Sequence, residues 1–358
     1  MARRRNLPIV VLALTVIAVH LLAAAAGKPQ YLTQLTMAGY YSLVIVGLTL
    51  LMGYTGQISL GHAGFFAIGG YTSGLLCTYN LHSRNGESLV SLLQATGLLV
   101  AGQDLYGGEI LVVRPWVACV VALLVTIAIA YLVGKPVLKL RGHYLAMATL
   151  GFGTIVYKVV LGSSLVGAAD GISDIPAFPL FAGLAVTGKS ALRVHNYYLA
   201  WGLVLAAMAV LTNLIHSRVG RALRAIHGAE DAANAMGVDT ARYKLNMFVL
   251  SAALAALGGV FLTHYNGGIG PSEASIMKSV RYVAIVAVGG MANLWGALIM
   301  GVLLNFLSLR GSFGCYDDAV FGLILLAIML FAPDGLLRAE LVQRVPGLRR
   351  VLGQKGAP

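Results

Sequence analysis

Charge is what this sequence has least of. Lys, Arg, Asp and Glu make up 11% of its 358 residues, against 58% apolar. A soluble chain of this length carries far more charge, so a soluble enzyme or binding module is excluded. Cysteine is sparse too: Cys77, Cys119 and Cys315 are odd in number and far apart. They offer neither a disulfide framework nor metal-ligand spacing. The thirteen acidic residues all fall in loops or at the edges of apolar runs. Proton-driven carriers usually need a carboxylate or His relay inside the bilayer, so a self-powered carrier is disfavoured. A sodium site built from carbonyls and hydroxyls stays open. Despite a formal net charge of +12, no basic patch with interleaved aromatics appears, so no nucleic acid partner is expected.

What is present is apolar sequence in runs of membrane-crossing length, with a mean hydropathy of +0.83. Hydrocarbon offers backbone groups no outside partner, so such runs cross as helices. The expected fold class is all-α, a polytopic membrane protein of about ten transmembrane helices. The spans are read at 7–26, 35–52, 62–79, 112–134, 143–161, 197–216, 245–264, 278–291, 294–309 and 317–332. The 44 glycines suit close helix packing in lipid. Arg3-Arg4-Arg5 before the first apolar run resembles a signal peptide, but no clean cleavage site follows, so a retained first span is expected. With both termini cytoplasmic, the inner segments hold 16 of the 25 basic residues, as the positive-inside rule requires. Residues 1–340 read as one transmembrane domain and 341–358 as a basic cytoplasmic tail. Two long outer loops, about 80–111 and 162–196, are either simple connections or receivers of something from outside.

The longest strongly charged interval between spans is 217–244. Arg218, Arg221 and Arg224 recur every third residue and form one polar stripe on a helix. Gly228 reads as a break. Glu230 and Asp231 then open a short helix, where negative charge suits the dipole. Ala229, Ala232, Ala233 and Met236 would give it a small apolar face, with Gly237 as terminator. Such a 229–237 helix fits a groove on a soluble subunit; an interfacial helix resting on headgroups fits the spacing equally. The Arg stripe reads as an extension of the sixth span. A second cluster runs from Gly53 to Tyr71: Gly53, Tyr54, Gly56, Gln57, Ser59, Gly61 and His62 put small and polar groups at an inner membrane edge. Either a re-entrant element lines a path there, or a glycine-rich crossing satisfies its polar side chains on neighbouring helices. Glycine turns recur later, at Gly289, Gly290 and Gly296.

The segment G-R-A-L-R-A-I-H-G-A-E-D-A-A-N-A-M-G-V-D, from Gly220, resembles the coupling region of ABC importer permeases. The match is narrower still: it is similar to the ABC-type branched-chain amino acid permease family, in its LivM-like branch. G-Y-T-G-Q-I-S-L-G-H-A-G from Gly53 resembles that family's signature near its second and third spans. Ser279 to Gly301, Gly267 to Glu273 and F-A-P-D-G-L-L from Phe331 agree, so the likeness covers most of 35–340. His227 and Gly228 depart from it, standing where relatives often carry more charge, and Ala292-Asn293 departs slightly.

The resemblance implies a membrane subunit of an ATP-binding-cassette importer in the bacterial cytoplasmic (inner) membrane, without its own ATPase site. Ala229, Glu230, Asp231, Ala232, Ala233, Met236 and Gly237 would contact an ATPase. Gly53, Tyr54, Gly56, Gln57, Ser59, Gly61, His62, Gly289 and Gly290 would lie by the translocation pathway. Implied partners are a homologous second permease, two ATP-binding subunits and a periplasmic or lipid-anchored substrate-binding protein. This chain itself would bind no cofactor; ATP with Mg would be hydrolysed by the partners. Substrate is expected to pass by backbone dipoles and hydroxyls rather than buried charges. A urea or short-chain amide permease is the alternative within the class; a secondary carrier or channel is the rival outside it. Gly183 to Ser190 satisfies the phosphate-loop pattern, but it sits in an outer loop without the buried strand that motif needs, so nucleotide binding there is not expected.

Overall fold

The structure, a computed structural model, describes residues 7–82, 97–103, 109–140, 142–180 and 184–311, with scattered single positions elsewhere. Its helices are α1 (Leu7–Ala25), α2 (Gln30–Thr55), α3 (His62–Thr78), α4 (Pro115–Val137), α5 (His143–Gly162) and α6 (Arg193–His216). They continue as α7 (Arg218–Gly228), α8 (Glu230–Ala235), α9 (Thr240–Asn266), α10 (Ile276–Gly289) and α11 (Leu294–Leu309). A hairpin, β1 (Leu99–Gln103) with β2 (Glu109–Val113), precedes α4, and the pair β3 (Phe178–Pro179) and β4 (Ala185–Val186) lies between α5 and α6. Among the described residues, six helices are long and apolar enough to cross a membrane. Nine of the ten expected spans coincide with helices; most of the tenth, 317–332, lies outside the described residues, as does the 341–358 tail.

The bundle is organised on α2, which is buried along most of its length. Helices α9, α11 and α6 pack along it, and α3 and α9 pack closely on each other. Their contact uses the absence of side chains rather than their fit. A Cβ at Gly69 would lie 2.6 Å from Ala256 Cα, and one at Gly259 would lie 2.0 Å from the Phe66 carbonyl oxygen. Backbones approach this closely only where small residues face each other, which is how helices associate when lipid removes the hydrophobic drive. By contrast α1 is peripheral and mostly exposed along its sides, as a lipid-facing helix is. It is held to α6 by Tyr197, whose hydroxyl donates to the Val16 carbonyl at 3.0 Å, and by His20 and Tyr198 at 2.8 Å.

The loop after α5 is stitched onto the C-terminal end of α9. Ile172 and Ile269 exchange both backbone hydrogen bonds at 2.9 Å. His264 Nδ1 donates to the Pro176 carbonyl at 2.8 Å, so its Nε2 accepts from the Ser73 hydroxyl, also at 2.8 Å. The stretch satisfying the phosphate-loop pattern belongs to this loop; its β4 is a two-residue strand paired antiparallel with β3.

Candidate functional site

The sequence-predicted residues gather at one end of the bundle. Helix α2 stops at Gly56, whose φ of +70° admits few other residues; the Gly56 and Gln57 amides both donate to the Leu51 carbonyl. The chain turns over six residues and re-enters as α3 at His62. In that turn Gly61 lies under α5: a Cβ there would sit 2.7 Å from the Thr149 carbonyl oxygen. Leu60 N–H donates to Thr149 Oγ1 at 3.0 Å. Ser59, His62 and Ser251 form a buried chain, with His62 Nδ1 at 3.0 Å from Ser59 Oγ and Nε2 at 2.7 Å from Ser251 Oγ. Gln57 is 2% exposed, yet neither atom of its amide has a partner among the described residues. The segment is therefore a tight turn between two helices, with most of its polar side chains turned into the packing.

The late glycines meet the same turn. A Cβ at Gly53 would fall 1.7 Å from the Met291 carbonyl oxygen, and Tyr54 donates its hydroxyl to the Ala292 carbonyl at 3.0 Å. Gly289 packs directly on α11, where its Cβ would be 2.5 Å from Ala297 Cα. Asn293 caps α11, accepting from the Gly296 N–H at 3.1 Å. Thus Gly53, Tyr54, Gly289 and Gly290 form one junction between the end of α2 and the α10–α11 turn.

The charged segment lies beside this junction. It differs from expectation in one respect: the Arg stripe is not an extension of the sixth span. The chain breaks at Ser217, whose side chain accepts from the Val219 N–H at 3.1 Å and caps a separate helix, α7. Gly220 makes the corner possible, since a Cβ there would lie 1.9 Å from the Ile215 carbonyl oxygen. Helix α7 buries Leu223 and Ile226 against the bundle. His227 sits over Gly56, where a Cβ would be 3.1 Å from its Nδ1. Helix α8 follows with Glu230 and Asp231 in its first turn, and Gly237 just beyond it at φ +82°.

The apolar face expected on α8 is divided. Ala233 is buried against the protein, whereas Ala229, Ala232 and Asp231 are exposed and Met236 is 85% exposed. Glu230 forms an ion pair with Lys244 in the first turns of α9. Two routes therefore lead inward from α8. One runs through α7 and His227 to the end of α2, the other along α9 to Ser251 and His62.

A second cluster was missed in the sequence. Glu273 lies in the one-turn helix Pro271–Ala274 between α9 and α10 and had been read as a loop acid at a span edge. Its Oε1 accepts from Lys278 Nζ at 2.6 Å and from the Tyr41 hydroxyl at 3.0 Å. Lys278 Nζ also donates to the Tyr41 oxygen at 3.0 Å and stands 4.7 Å from the centre of its ring. Tyr41 is eleven residues into α2, about 16 Å from that helix's start and near its midpoint. The ion pair is thus deep between helices. The available signal was the 14-residue length of α10, about 21 Å, too short to cross a bilayer from rim to rim.

Comparison with known proteins identifies the family. Residues 30–333 match the family model described as branched-chain amino acid transport system / permease component. The chain is 31% identical over 323 residues to the high-affinity branched-chain amino acid transport system permease protein LivM of Salmonella typhimurium, covering 84% of this chain and 68% of the relative. It is 29% identical to the Escherichia coli K12 LivM over the same shares. Against the permease protein LivH of Escherichia coli K12 it is 27% identical, covering 88% of this chain and 97% of that one. No solved structure matches it. With a conforming helical bundle and a family match over most of its length, the chain belongs to the branched-chain amino acid transport permease family, a family of membrane transport components.

Proposed function

We propose that this chain is the membrane-spanning permease subunit of an ATP-binding-cassette importer for branched-chain or related amino acids, working by alternating access in a bacterial inner membrane. ATP with Mg would be hydrolysed by separate subunits. The observation that carries this reading is α8: a short helix standing off the bundle, with Met236 85% exposed and its base tied to α9 through Glu230 and Lys244. Met236 caps the end of that helix, and with the exposed Ala229 and Ala232 it offers a small, adaptable apolar surface of the kind a partner protein covers. Two ATPase subunits would seat it, and their closure would push α8 and load both inward routes. Similarity to both LivM and LivH supports pairing with a homologous second permease. A substrate-binding protein would deliver its cargo to the loops at the opposite end.

Met236→Arg tests the docking. The exposed position tolerates the change, so insertion and folding are expected to be unaltered, while ATPase subunits no longer co-purify and ATP-dependent uptake is lost. Co-purification at wild-type level would remove α8 from this role. Uptake that persists after ATP is depleted under a maintained ion gradient would refute the importer reading as a whole.

A further inference from the structure

We propose that Glu273 and Lys278, framed by Tyr41, Tyr71 and Tyr282, form a recognition site for the charged backbone of a free α-amino acid with an aliphatic side chain. This deepens the transport reading above and rests on it. The family match names a transport system; nothing in it says which residues in this chain contact the cargo.

Incomplete satisfaction is the first argument. Glu273 Oε1 holds two donors, but Oε2 is buried and has no partner among the described residues. The Tyr71 and Tyr282 hydroxyls are likewise buried and unpartnered among the described residues, at 4% and 1% exposure. The ring of Tyr282 lies 6.3 Å from that of Tyr41, and Tyr71 packs in one cluster with Ala274, the residue after Glu273. Native interiors seldom leave such groups unsatisfied, and here three belong to residues packed around one ion pair. Lys278 Nζ has used two of its three donors, on Glu273 and Tyr41.

Complementarity is the second. A zwitterion supplies what is missing: its ammonium can donate to Glu273 Oε2, and its carboxylate can accept from the third Lys278 proton and from tyrosine hydroxyls. The ion pair is not sealed. The side chains of Glu273 and Lys278 are 16% and 25% exposed while Oε2 itself is enclosed, so a ligand approaches the pair from its open side and meets Oε2 as the flanking helices part. Beside them lies an aliphatic cluster of Ala67, Val160, Ile175, Ile269 and Ala274, into which Tyr71 also packs. That surroundings favour an apolar side chain on the same ligand. A charged pair among membrane helices is expensive to keep and marks a functional site more often than a structural one. Under this proposal cargo would meet a charged pair in addition to the dipoles and hydroxyls expected from the sequence.

The experiment is uptake of labelled leucine by cells carrying the intact transporter. Three variants are compared at equal membrane levels of this chain. The swap Glu273→Lys with Lys278→Glu keeps an ion pair but reverses its polarity relative to the tyrosines. The neutral pair Glu273→Gln with Lys278→Gln removes both charges together. Tyr71→Phe removes one unpartnered hydroxyl and is structurally the mildest. Expected are a loss of uptake of about tenfold or more in the first two, corresponding to a lost charge-assisted hydrogen bond, and a several-fold rise in KM at unchanged kcat for Tyr71→Phe.

Uptake restored to near wild type by the swap would make the pair merely structural and overturn the proposal. So would an unchanged KM for Tyr71→Phe, which decides the matter even if both double variants fail to insert. If the wild type accumulates no leucine, isoleucine or valine in an ATP-dependent way, the transport reading itself falls. Normal wild-type accumulation with indifferent variants sinks only the site.

Discussion

Gly53→Ala adds one methyl group and is expected to damage the protein out of proportion to its size. The new Cβ would stand 1.7 Å from the Met291 carbonyl oxygen, where real Cβ contacts stay beyond 3.0 Å. The α10–α11 turn must therefore retreat by about 1.3 Å, the difference between those distances. Because the obstacle is backbone, no rotamer change relieves it. Overpacking of this kind costs about 1–3 kcal/mol. The retreat also stretches the bond from the Tyr54 hydroxyl to the Ala292 carbonyl, adding about 1 kcal/mol. A loss of about 2–4 kcal/mol is expected, set against Gly202→Ala in α6 as control. Gly202 has a helical backbone and nothing within 4 Å of its added Cβ, so alanine there should be neutral or stabilise by up to about 1 kcal/mol. The assay is unfolding of the detergent-solubilised chain, by heat or by SDS titration, for both variants side by side. Shortening the Met291 side chain should not rescue Gly53→Ala, since the colliding atom is the carbonyl oxygen. Equal stability of the two variants, or rescue by Met291→Ala, would refute the reasoning.

Other outcomes follow from the same contacts. Gly301→Ala meets only the tip of Ile45, at 2.8 Å from Cδ1; it should cost about 1 kcal/mol and be relieved by Ile45→Val, as read from the same unfolding curves. His62→Phe leaves Ser59 and Ser251 without their shared partner and should destabilise by about 1–3 kcal/mol, while adding Ser251→Ala should cost less than the sum of the two single changes in a double-mutant cycle. Lys244→Met should weaken the attachment of α8, measured as faster proteolytic cleavage between 229 and 239, and exchanging Glu230 and Lys244 should restore resistance. His264→Phe removes the donor to the Pro176 carbonyl and should expose 172–176 to protease while the helices stay intact.

Much of the bundle was legible because its signals are local. Apolar runs long enough to cross, glycine and proline at their ends, and basic residues beside them place nine helices to within a few residues. Gly228 and Gly237 punctuate α7 and α8 as read. The separate α7 was also present in the sequence: Ser217 before a Val219, Leu223, Ile226 spacing is a helix start with an apolar face. Other features could not be read because they join distant residues. His62 meets Ser251 across 189 positions, and Tyr41 meets Glu273 across 232. Gly270-Pro271 before Glu273 marks a turn correctly, but only tertiary packing tells a turn at the rim from one folded back among helices.

The two clusters are mechanically one object. Helix α2 carries Tyr41 near its midpoint and Gly53 at its end. Helix α10 carries Lys278 in its first turn and Gly289 in its last. Each helix thus holds one part of the deep ion-pair site and one part of the junction beside α7. The junction is made of backbone in contact with backbone, at Gly53 on Met291 and Gly289 on Ala297. Such contacts have no flexible side chains to absorb a push, so displacement there moves whole helices. Helix α10 is about 21 Å long, and a tilt pivoting on Gly289 would carry its first turn furthest. Lys278 would then leave Tyr41, breaking a 3.0 Å hydrogen bond and freeing the carboxylate it shares. The proposed pressure on α8 would reach the cargo by this path without passing through the cargo site's own side chains. Gly289→Ala, which sets a Cβ 2.5 Å from Ala297 Cα, should therefore loosen the seat of α10 on α11 and reduce uptake while leaving ATPase docking intact. Wild-type uptake by that variant at equal membrane levels would mean that this contact does not carry the motion.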